Sequence, residues 1–323
     1  MMIKTLQREP LIYWLMTVGI LCLLPLTGIS TYVTSIIVLC LLFGLLASSW
    51  DLLFGYTGLM SFGHAGFFGV SAYASVLIVI HTPISAWLAL VIGPITAGLF
   101  GLFVGVLCLR LRGPYLTLTT LAFAQTVRLI AGNWISLTGG PLGLSAFRLL
   151  EGIPTDRTTY YYIVLGFVAI SIVILRAIAD SNFGLRFQTI RDDEILAEAV
   201  GIDITRYKVI SFSLSAFFAG VAGSLYAFYT TVISPLILDV PHTIQAVAMA
   251  IVGGTGTIFG PLIGGLVINF LTEYFRIFGA YRLVITGAAT VVIILFFPKG
   301  IWQLIDWIRF LLSRRRREVN APV

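Results

Sequence analysis

Long apolar runs alternate with short polar segments along most of this chain, and most runs are close to the length of a bilayer-crossing helix. No small-residue cleavage pattern follows the first run, so we interpret it as a span and not as a signal peptide. The pattern predicts an all-α polytopic membrane protein with about ten transmembrane helices, some short or interrupted by glycine. The predicted spans are 12–29, 31–50, 61–80, 86–109, 115–133, 160–178, 207–230, 241–252, a run ending near 276, and 283–297.

Composition agrees with this pattern. Of the 323 residues, 59% are hydrophobic and 11% are charged, whereas soluble proteins contain about 25% charged residues. The polar segments are too short to form a soluble domain, so we predict a single membrane domain, 1–323. Cys22, Cys40 and Cys108 lie within apolar runs without metal or disulfide spacing, and we interpret them as packing residues.

Lysine and arginine are distributed unevenly over the polar segments. If both termini are cytosolic, most of the 20 basic residues fall on the cytosolic side, as the positive-inside rule requires. This orientation requires residues 241–276 to cross the membrane twice. Arg128 then lies within a span, about one turn from its external end, where its side chain can extend to the headgroups.

The long charged segment between two apolar runs, 182–206, carries a helical pattern. Asp192, Asp193 and Glu194 suit a helix first turn, and Gly201 suits its end. An apolar stripe and an acidic face follow at helical spacing. The stripe is Ile195, Leu196, Ala199 and Val200, and the acidic face is Glu194 and Glu198. We predict an amphipathic helix of about ten residues that lies on its own membrane surface or docks on another protein.

A short glycine motif occurs twice. G-x-T-G stands at 55–58 and again at 253–256, and each copy is followed by Phe-Gly and more glycine. The predicted topology places both copies at the same side of the membrane. Transporters often carry broken helices at corresponding places near the substrate path, although glycines that only allow close packing give the same pattern.

Several polar residues and glycines fall at membrane depth, where polar groups are costly and usually have a role. For any single one of them, hydrogen bonding between helices is the favoured role. Together they mark the faces predicted to line a substrate path. The candidates are Ser61, Gly63, His64, Thr119, Thr120, Gln125, Gly254, Gly256 and Asn269.

The sequence contains no catalytic or metal-binding constellation. Its three histidines are far apart, and no P-loop is present. We therefore predict that the chain is not an enzyme and that any ATP-driven activity depends on another subunit. Residues 301–323 are predicted to form an interfacial helix and a basic cytosolic tail, in which four arginines are a topology anchor and not a nucleic-acid site.

Four stretches together resemble the LivM-type permeases of branched-chain amino-acid importers, a family driven by ATP-binding cassettes. The resemblance runs from about residue 35 to 300, with the motifs in the family's order. Within 182–206, the chain has Glu-Ala-Val where the usual pattern is Glu-Ala-Ala. The stretches are LFGYTGLMSFGHAGFFGVSAY (53–73), LRGPYLTLTTLAFAQ (111–125), RDDEILAEAVGIDITRYKVISFSLSAFFAGVAGSLYAF (191–228) and VGGTGTIFGPLIGG (252–265).

The resemblance implies a permease subunit in a bacterial inner membrane. It implies a second, related permease, two cytosolic ATPases that bind ATP and magnesium, and a periplasmic binding protein; this chain itself would bind no cofactor. Segment 182–206 would be the coupling loop, with its ATPase-docking helix at 191–201. The docking residues implied are Arg191, Asp192, Glu194, Glu198, Ala199 and Gly201.

The substrate and one other class of transporter remain open. Urea and short-chain amide permeases resemble this sequence in the same motifs, so they are alternatives to branched-chain amino acids. An ion-coupled secondary transporter often uses an intramembrane carboxylate. The carboxylates near membrane depth, Asp51 and Glu273, both lie toward the ends of spans, which disfavours that class.

Overall fold

A computed structural model describes residues 18–19, 21–27, 30–108, 111, 113–145, 156–297 and 300–302. Half of the first predicted span, 12–29, and nearly all of the predicted tail at 301–323 lie outside these residues. The longer helices are α1 (Thr31–Thr57), α2 (His64–His81), α3 (Ala86–Leu107), α4 (Pro114–Asn133), α5 (Arg157–Asp180), α6 (Asn182–Asp192), α7 (Glu194–Ala199), α8 (Ile204–Thr230), α9 (Val240–Gly253), α10 (Gly260–Tyr274) and α11 (Arg282–Phe296).

Short elements connect these helices. An antiparallel pair, β1 (Leu144–Ser145) and β2 (Val232–Ile233), joins two loops. This pair of two-residue strands does not change the all-α class. The remaining turns are the helical turn Ile135–Thr138 and the 3-10 turns Leu24–Thr27, Gly140–Leu142, Pro235–Leu238 and Phe275–Tyr281.

Among the residues that the structure describes, six helical segments are long and apolar enough to cross a membrane: α1, α2, α3, α5, α8 and Gly260–Gly279. Helices α9 and α11 are apolar but shorter. Helix α4 has 20 residues but carries four threonines together with Gln125 and Arg128. The structure confirms the predicted all-α, polytopic membrane protein.

Helix α1 forms the centre of the bundle and packs against α5, α8, α9 and α10. From Ile37 onward nearly every side chain is buried, including Leu42, Leu45 and Trp50, which have no exposed surface. A helix that is apolar on all sides is stable only when other helices or lipid surround it. The position of α1 therefore follows from its composition.

Helices α3 and α8 pack closely because α3 carries small residues at every fourth position. Gly93, Ala97, Gly101 and Gly105 form this stripe. A Cβ added at Gly101 would lie 2.3 Å from the side chain of Ala216 on α8. Small residues let two backbones approach in this way within a membrane.

The charged segment differs from its prediction, because it forms two helices and not one of about ten residues. Asp192 ends α6, and the chain is extended at Asp193 (φ −159°, ψ 114°). The Asp193 carboxylate accepts hydrogen bonds from the N–H groups of Ile195 and Leu196 at 2.8 and 3.1 Å, so it caps α7. A helix does start at the acidic run, with Glu194 in its first turn, but it has six residues and not about ten, because Asp193 is its N-cap and Asp192 belongs to α6.

Candidate functional site

The two G-x-T-G motifs meet at one end of the bundle. A Cβ added at Gly55, in the last turn of α1, would lie 2.5 Å from the backbone nitrogen of Gly256. We call the segments around them the first corner (55–63) and the second corner (253–260). The structure confirms that both corners lie at the same side of the bundle, and it shows that they touch.

Asp51 holds the second corner against α1. Its carboxylate has no exposed surface and accepts a bifurcated hydrogen bond from the Gly256 N–H, at 2.9 and 3.0 Å. One turn earlier, the Ser48 hydroxyl donates to the Ile258 carbonyl at 3.2 Å. Sequence analysis set Asp51 aside as a residue near a span end. The signal that could have identified it is a carboxylate one turn before a repeated glycine motif within an apolar run.

Arg191 brings the charged segment to the same place. Its Nη1 donates to the Gly55 carbonyl, and its Nε and Nη2 donate to the Asp192 carboxylate at 3.2 and 3.1 Å. Gly58 has a φ of +76°, and a Cβ there would lie 3.0 Å from Cγ of Arg191. We call Asp51, Gly55, Gly256 and Arg191 the corner junction. It links α6 to both corners through bonds from side chains to the backbone.

Helix α7 presents its apolar stripe outward. Ile195 is 79% exposed, Leu196 58% and Val200 65%, whereas Ala197 is fully buried. Glu198, Ala199 and Gly201 are also exposed, and Gly201 has a φ of +83° where the helix ends. The bundle therefore does not cover the stripe. Both predicted alternatives, a position on the membrane surface and docking on another protein, require such an exposed stripe.

The first corner runs inside the bundle. His64, which begins α2, bonds through Nε2 to Ser215 Oγ at 2.7 Å. Ser215 lies eleven residues beyond Ile204, the start of α8, which is about 16 Å along that helix. Backbone at this depth requires partners within the protein, because a bilayer offers none.

Side chains of α1 and α4 supply those partners. Trp50 Nε1 donates to the Ser61 carbonyl at 2.8 Å, and Thr117 Oγ1 donates to the Met60 carbonyl at 3.2 Å. The Phe62 N–H donates to Thr120 Oγ1 at 3.1 Å. The first corner is thus fixed mainly by residues outside it.

The structure brings some predicted path residues together. Ser61, His64 and Thr120 surround the first corner and have no exposed surface. Gly63 packs there too, because a Cβ on it would lie 3.0 Å from the Thr120 carbonyl. In this conformation His64 Nε2 bonds to Ser215 of α8 and Thr120 Oγ1 accepts from the Phe62 N–H, while Ser61 Oγ accepts from the Gly63 N–H within the corner at 3.1 Å. His64 Nδ1 is buried and has no partner among the described residues. The role of these residues in a path stays a prediction.

The other predicted path residues lie elsewhere. Gly254 and Gly256 belong to the second corner, and Thr119 is partly exposed on α4. Asn269 of α10 accepts a hydrogen bond from Gln245 of α9 at 3.2 Å. These residues do not form one group with the first corner.

Gln125 and Arg128 form a polar group near the other end of α4. Arg128 donates to Gln125 Oε1 at 3.2 Å and lies 3.5 Å from an Asp239 carboxylate oxygen. The guanidinium therefore pairs within the protein, and extension to headgroups does not describe it. Within the described part of the chain, no group of three His, Cys, Asp or Glu residues could hold a metal ion.

The fold and its two interrupted helix pairs define a polytopic membrane transport protein, since broken helices at corresponding places mark this class. Residues 32–295 match the family model described as the permease component of branched-chain amino acid transport systems. The chain belongs to this family.

Individual relatives agree with the family match. The high-affinity branched-chain amino acid permease protein LivM of Escherichia coli K12 is 27% identical over 299 residues, which cover 84% of this chain and 70% of that protein. LivM of Salmonella typhimurium is 28% identical over 273 residues, covering 76% of this chain and 64% of that protein. The permease protein LivH of E. coli K12 is 24% identical over 283 residues, covering 80% and 90%.

Proposed function

We propose that this chain is a permease subunit of an ATP-binding-cassette importer that moves branched-chain amino acids into the cell. The observation that carries the proposal is the form of segment 182–206. It exposes an apolar stripe on α7 while Arg191, at the end of α6, holds the Gly55 carbonyl within the bundle. A segment built in this way can receive force at its surface and pass it inward.

The coupling path has three steps. A cytosolic ATPase binds the apolar stripe of α7, with Glu198 and Ala199 at the centre of the contact. Movement of α7 displaces α6, because only Asp193 separates the two helices. Arg191 then moves the first corner, and the contact between Gly55 and Gly256 carries the movement to the second corner. The first corner connects α1 to α2, and the second connects α9 to α10. In the proposed mechanism both helix pairs border the substrate path.

The proposed assembly follows the resemblance and the relatives. The chain pairs with a second, related permease, and its similarity to both LivM and LivH proteins supports such a heterodimer. Two cytosolic ATPases bind ATP and magnesium, a periplasmic protein delivers substrate, and membrane lipids surround the subunit. This chain binds no cofactor and no nucleic acid.

We further propose a bacterial inner-membrane location with about ten crossings and both termini in the cytosol. The unequal distribution of basic residues supports this orientation. Segment 182–206 then faces the cytosol, where an ATPase can reach it, and residues 301–323 form the interfacial helix and basic tail.

Branched-chain amino acids are the proposed substrate because the family description and the names of the relatives specify them. Urea and short-chain amides are the alternative within the same machine. The test is binding-protein-dependent uptake of labelled leucine, isoleucine, valine and urea into vesicles that hold the chain with its co-purifying subunits. Uptake is measured with and without ATP on the ATPase side.

We expect amino-acid uptake that requires ATP and falls about tenfold in Glu198→Arg, because the new charge opposes ATPase docking. Glu198→Gln, which keeps the side chain's shape, is the matched control and should lose far less. If urea is taken up and the amino acids are not, the proposed substrate changes to urea while the importer proposal stands. Uptake that ignores ATP and survives Glu198→Arg would overturn the importer proposal.

A further inference from the structure

A cavity of about 510 Å³ lies where α7 meets the start of α4 and the first corner. This volume is within the range of sites for small molecules, about 300–1,000 Å³. Two elements of the coupling path, α7 and the first corner, border the cavity, but the path described above gives the cavity itself no role. Its lining residues are Gly58, Leu59, Met60, Leu111, Gly113, Pro114, Leu116, Thr117, Leu118, Glu194 and Lys208.

The described walls are mostly apolar, and among the described lining residues one acid and one base pair with each other. Lys208 Nζ lies 2.6 Å from Glu194 Oε1, and the Lys208 side chain is only 10% exposed. The pair joins α7 to α8 at the edge of the cavity. A lysine ammonium has three donors, and a carboxylate can accept several hydrogen bonds at once, so further charged groups can join such a pair.

This combination selects the class of ligand. A purely apolar molecule would contribute no hydrogen bond to the ion pair, and a simple anion would be repelled by Glu194. A zwitterion with an apolar side chain satisfies the whole cavity. Its carboxylate binds Lys208, its ammonium binds Glu194, and its hydrocarbon lies against Leu59, Leu116 and Leu118.

We propose that this cavity binds a free amino acid with an apolar side chain on the cytosolic side of the membrane. The identification of that side and of the ligand rests on the proposed function. The bound amino acid ties α7 to α8 and to the first corner, so it holds the coupling helix in place. Accumulated product thereby slows further import.

Direct binding of labelled L-leucine to the purified complex, without its periplasmic binding protein, tests the site. We expect saturable binding that weakens about tenfold in Lys208→Gln, where a charged hydrogen bond is lost. Leu116→Trp, which fills the cavity, should abolish it. Leucinol lacks the carboxylate and 4-methylpentanoate lacks the ammonium, so both should compete poorly.

Two control variants separate the cavity from general damage. Arg206→Gln removes a positive charge on the first turn of α8, outside the cavity, and Leu107→Trp adds an indole at an exposed position of α3. Both should retain leucine binding. Binding that is unchanged in Lys208→Gln and Leu116→Trp, or absent from the wild type, would overturn the proposal, as would equal competition by 4-methylpentanoate.

Feedback is measured in vesicles loaded with leucine on the cytosolic side. Loading should lower the initial rates of ATP hydrolysis and uptake in the wild type but not in Leu116→Trp, and 4-methylpentanoate should have no effect. Vesicles without leucine test the importer itself. Normal ATP-driven uptake in those vesicles, together with no response to loading, would reject the feedback site and leave the proposed function intact.

Discussion

The two corners share a motif but are held in different ways. The first corner depends on side chains from outside it, namely Trp50, Thr117, Thr120 and Arg191. The second corner is also held from outside, by Asp51 and Ser48, but in addition it is closed from within by its own Thr257. The hydroxyl of this threonine donates to the Gly254 carbonyl at 2.7 Å and accepts from the Gly260 N–H at 3.1 Å.

This difference assigns the corners different parts in the proposed mechanism. Because neighbouring helices hold the first corner, their movement changes its shape directly. The second corner keeps its shape and moves as a unit through Gly256, which is held by Asp51 and touches Gly55. The same glycine motif thus serves a responsive corner and a rigid one.

The largest expected effect comes from separating the corners with Gly55→Ala. The added Cβ would lie 2.3 Å from Asp51 Oδ1 and 2.5 Å from the Gly256 backbone nitrogen. Neither atom can move away easily, because the Asp51 carboxylate and the Gly256 N–H are hydrogen-bonded to each other. We expect a loss of about 3 kcal/mol in stability, with little folded protein recovered. The thermal aggregation midpoint in detergent measures this loss.

Gly166→Ala is the matched control for Gly55→Ala. Gly166 also lies within a helix, α5, but an added Cβ there meets no atom within 4 Å. Its midpoint should equal or exceed that of the wild type, since alanine favours helix more than glycine does. Equal midpoints for the two variants would contradict close contact between the corners.

Asp51→Ala should have the next largest effect, because it leaves the partly buried N–H of Gly256 without its carboxylate partner. An unsatisfied buried donor costs about 1–3 kcal/mol. We expect reduced stability and almost no uptake. Asp51→Asn keeps the shape and one carbonyl acceptor, so it should retain more of both. Wild-type uptake by Asp51→Ala would show that the second corner does not depend on α1.

Arg191→Ala should affect coupling more than folding, since its side chain lies partly at the surface, 39% exposed. It removes the bond to Gly55 but leaves the stripe of α7 in place. ATP hydrolysis should continue while uptake falls, so the ATP consumed per leucine transported rises about tenfold. Arg191→Lys keeps the charge but not the planar guanidinium, so its ATP consumption per leucine should lie between those of the wild type and Arg191→Ala. An unchanged ratio would remove Arg191 from the coupling path.

Much of the fold could be predicted from sequence, because the length of an apolar run and a glycine motif between two runs are both local signals. Apolar length identified α1, α3, α5 and α8, and the repeated motif identified two corners at one side of the membrane. The break at Asp193 was missed because an aspartate in a helix first turn and an aspartate N-cap differ by one residue in register.

The contacts of the candidate site were beyond local signals. Asp51 and Gly256 are 205 positions apart, and no spacing rule pairs them. The Arg128 pair with Asp239 was missed for the same reason. The sequence also did not show which polar groups lie deep inside the bundle. The sequence could mark Ser61 and Thr120 as polar groups within the membrane, but only packing shows that they fasten the first corner.

The smallest expected effects test whether the corners are coupled. Thr120→Val removes the acceptor of the Phe62 N–H in the first corner, and Thr257→Val removes two bonds within the second corner. Each should cost about 1 kcal/mol in stability, and Thr257→Val somewhat more because it loses two partners. Thermal midpoints of both single variants and the double variant are compared. If the corner junction transmits strain, the double variant should differ from the sum by about 0.5 kcal/mol or more, whereas simple additivity would mean that the corners touch without coupling.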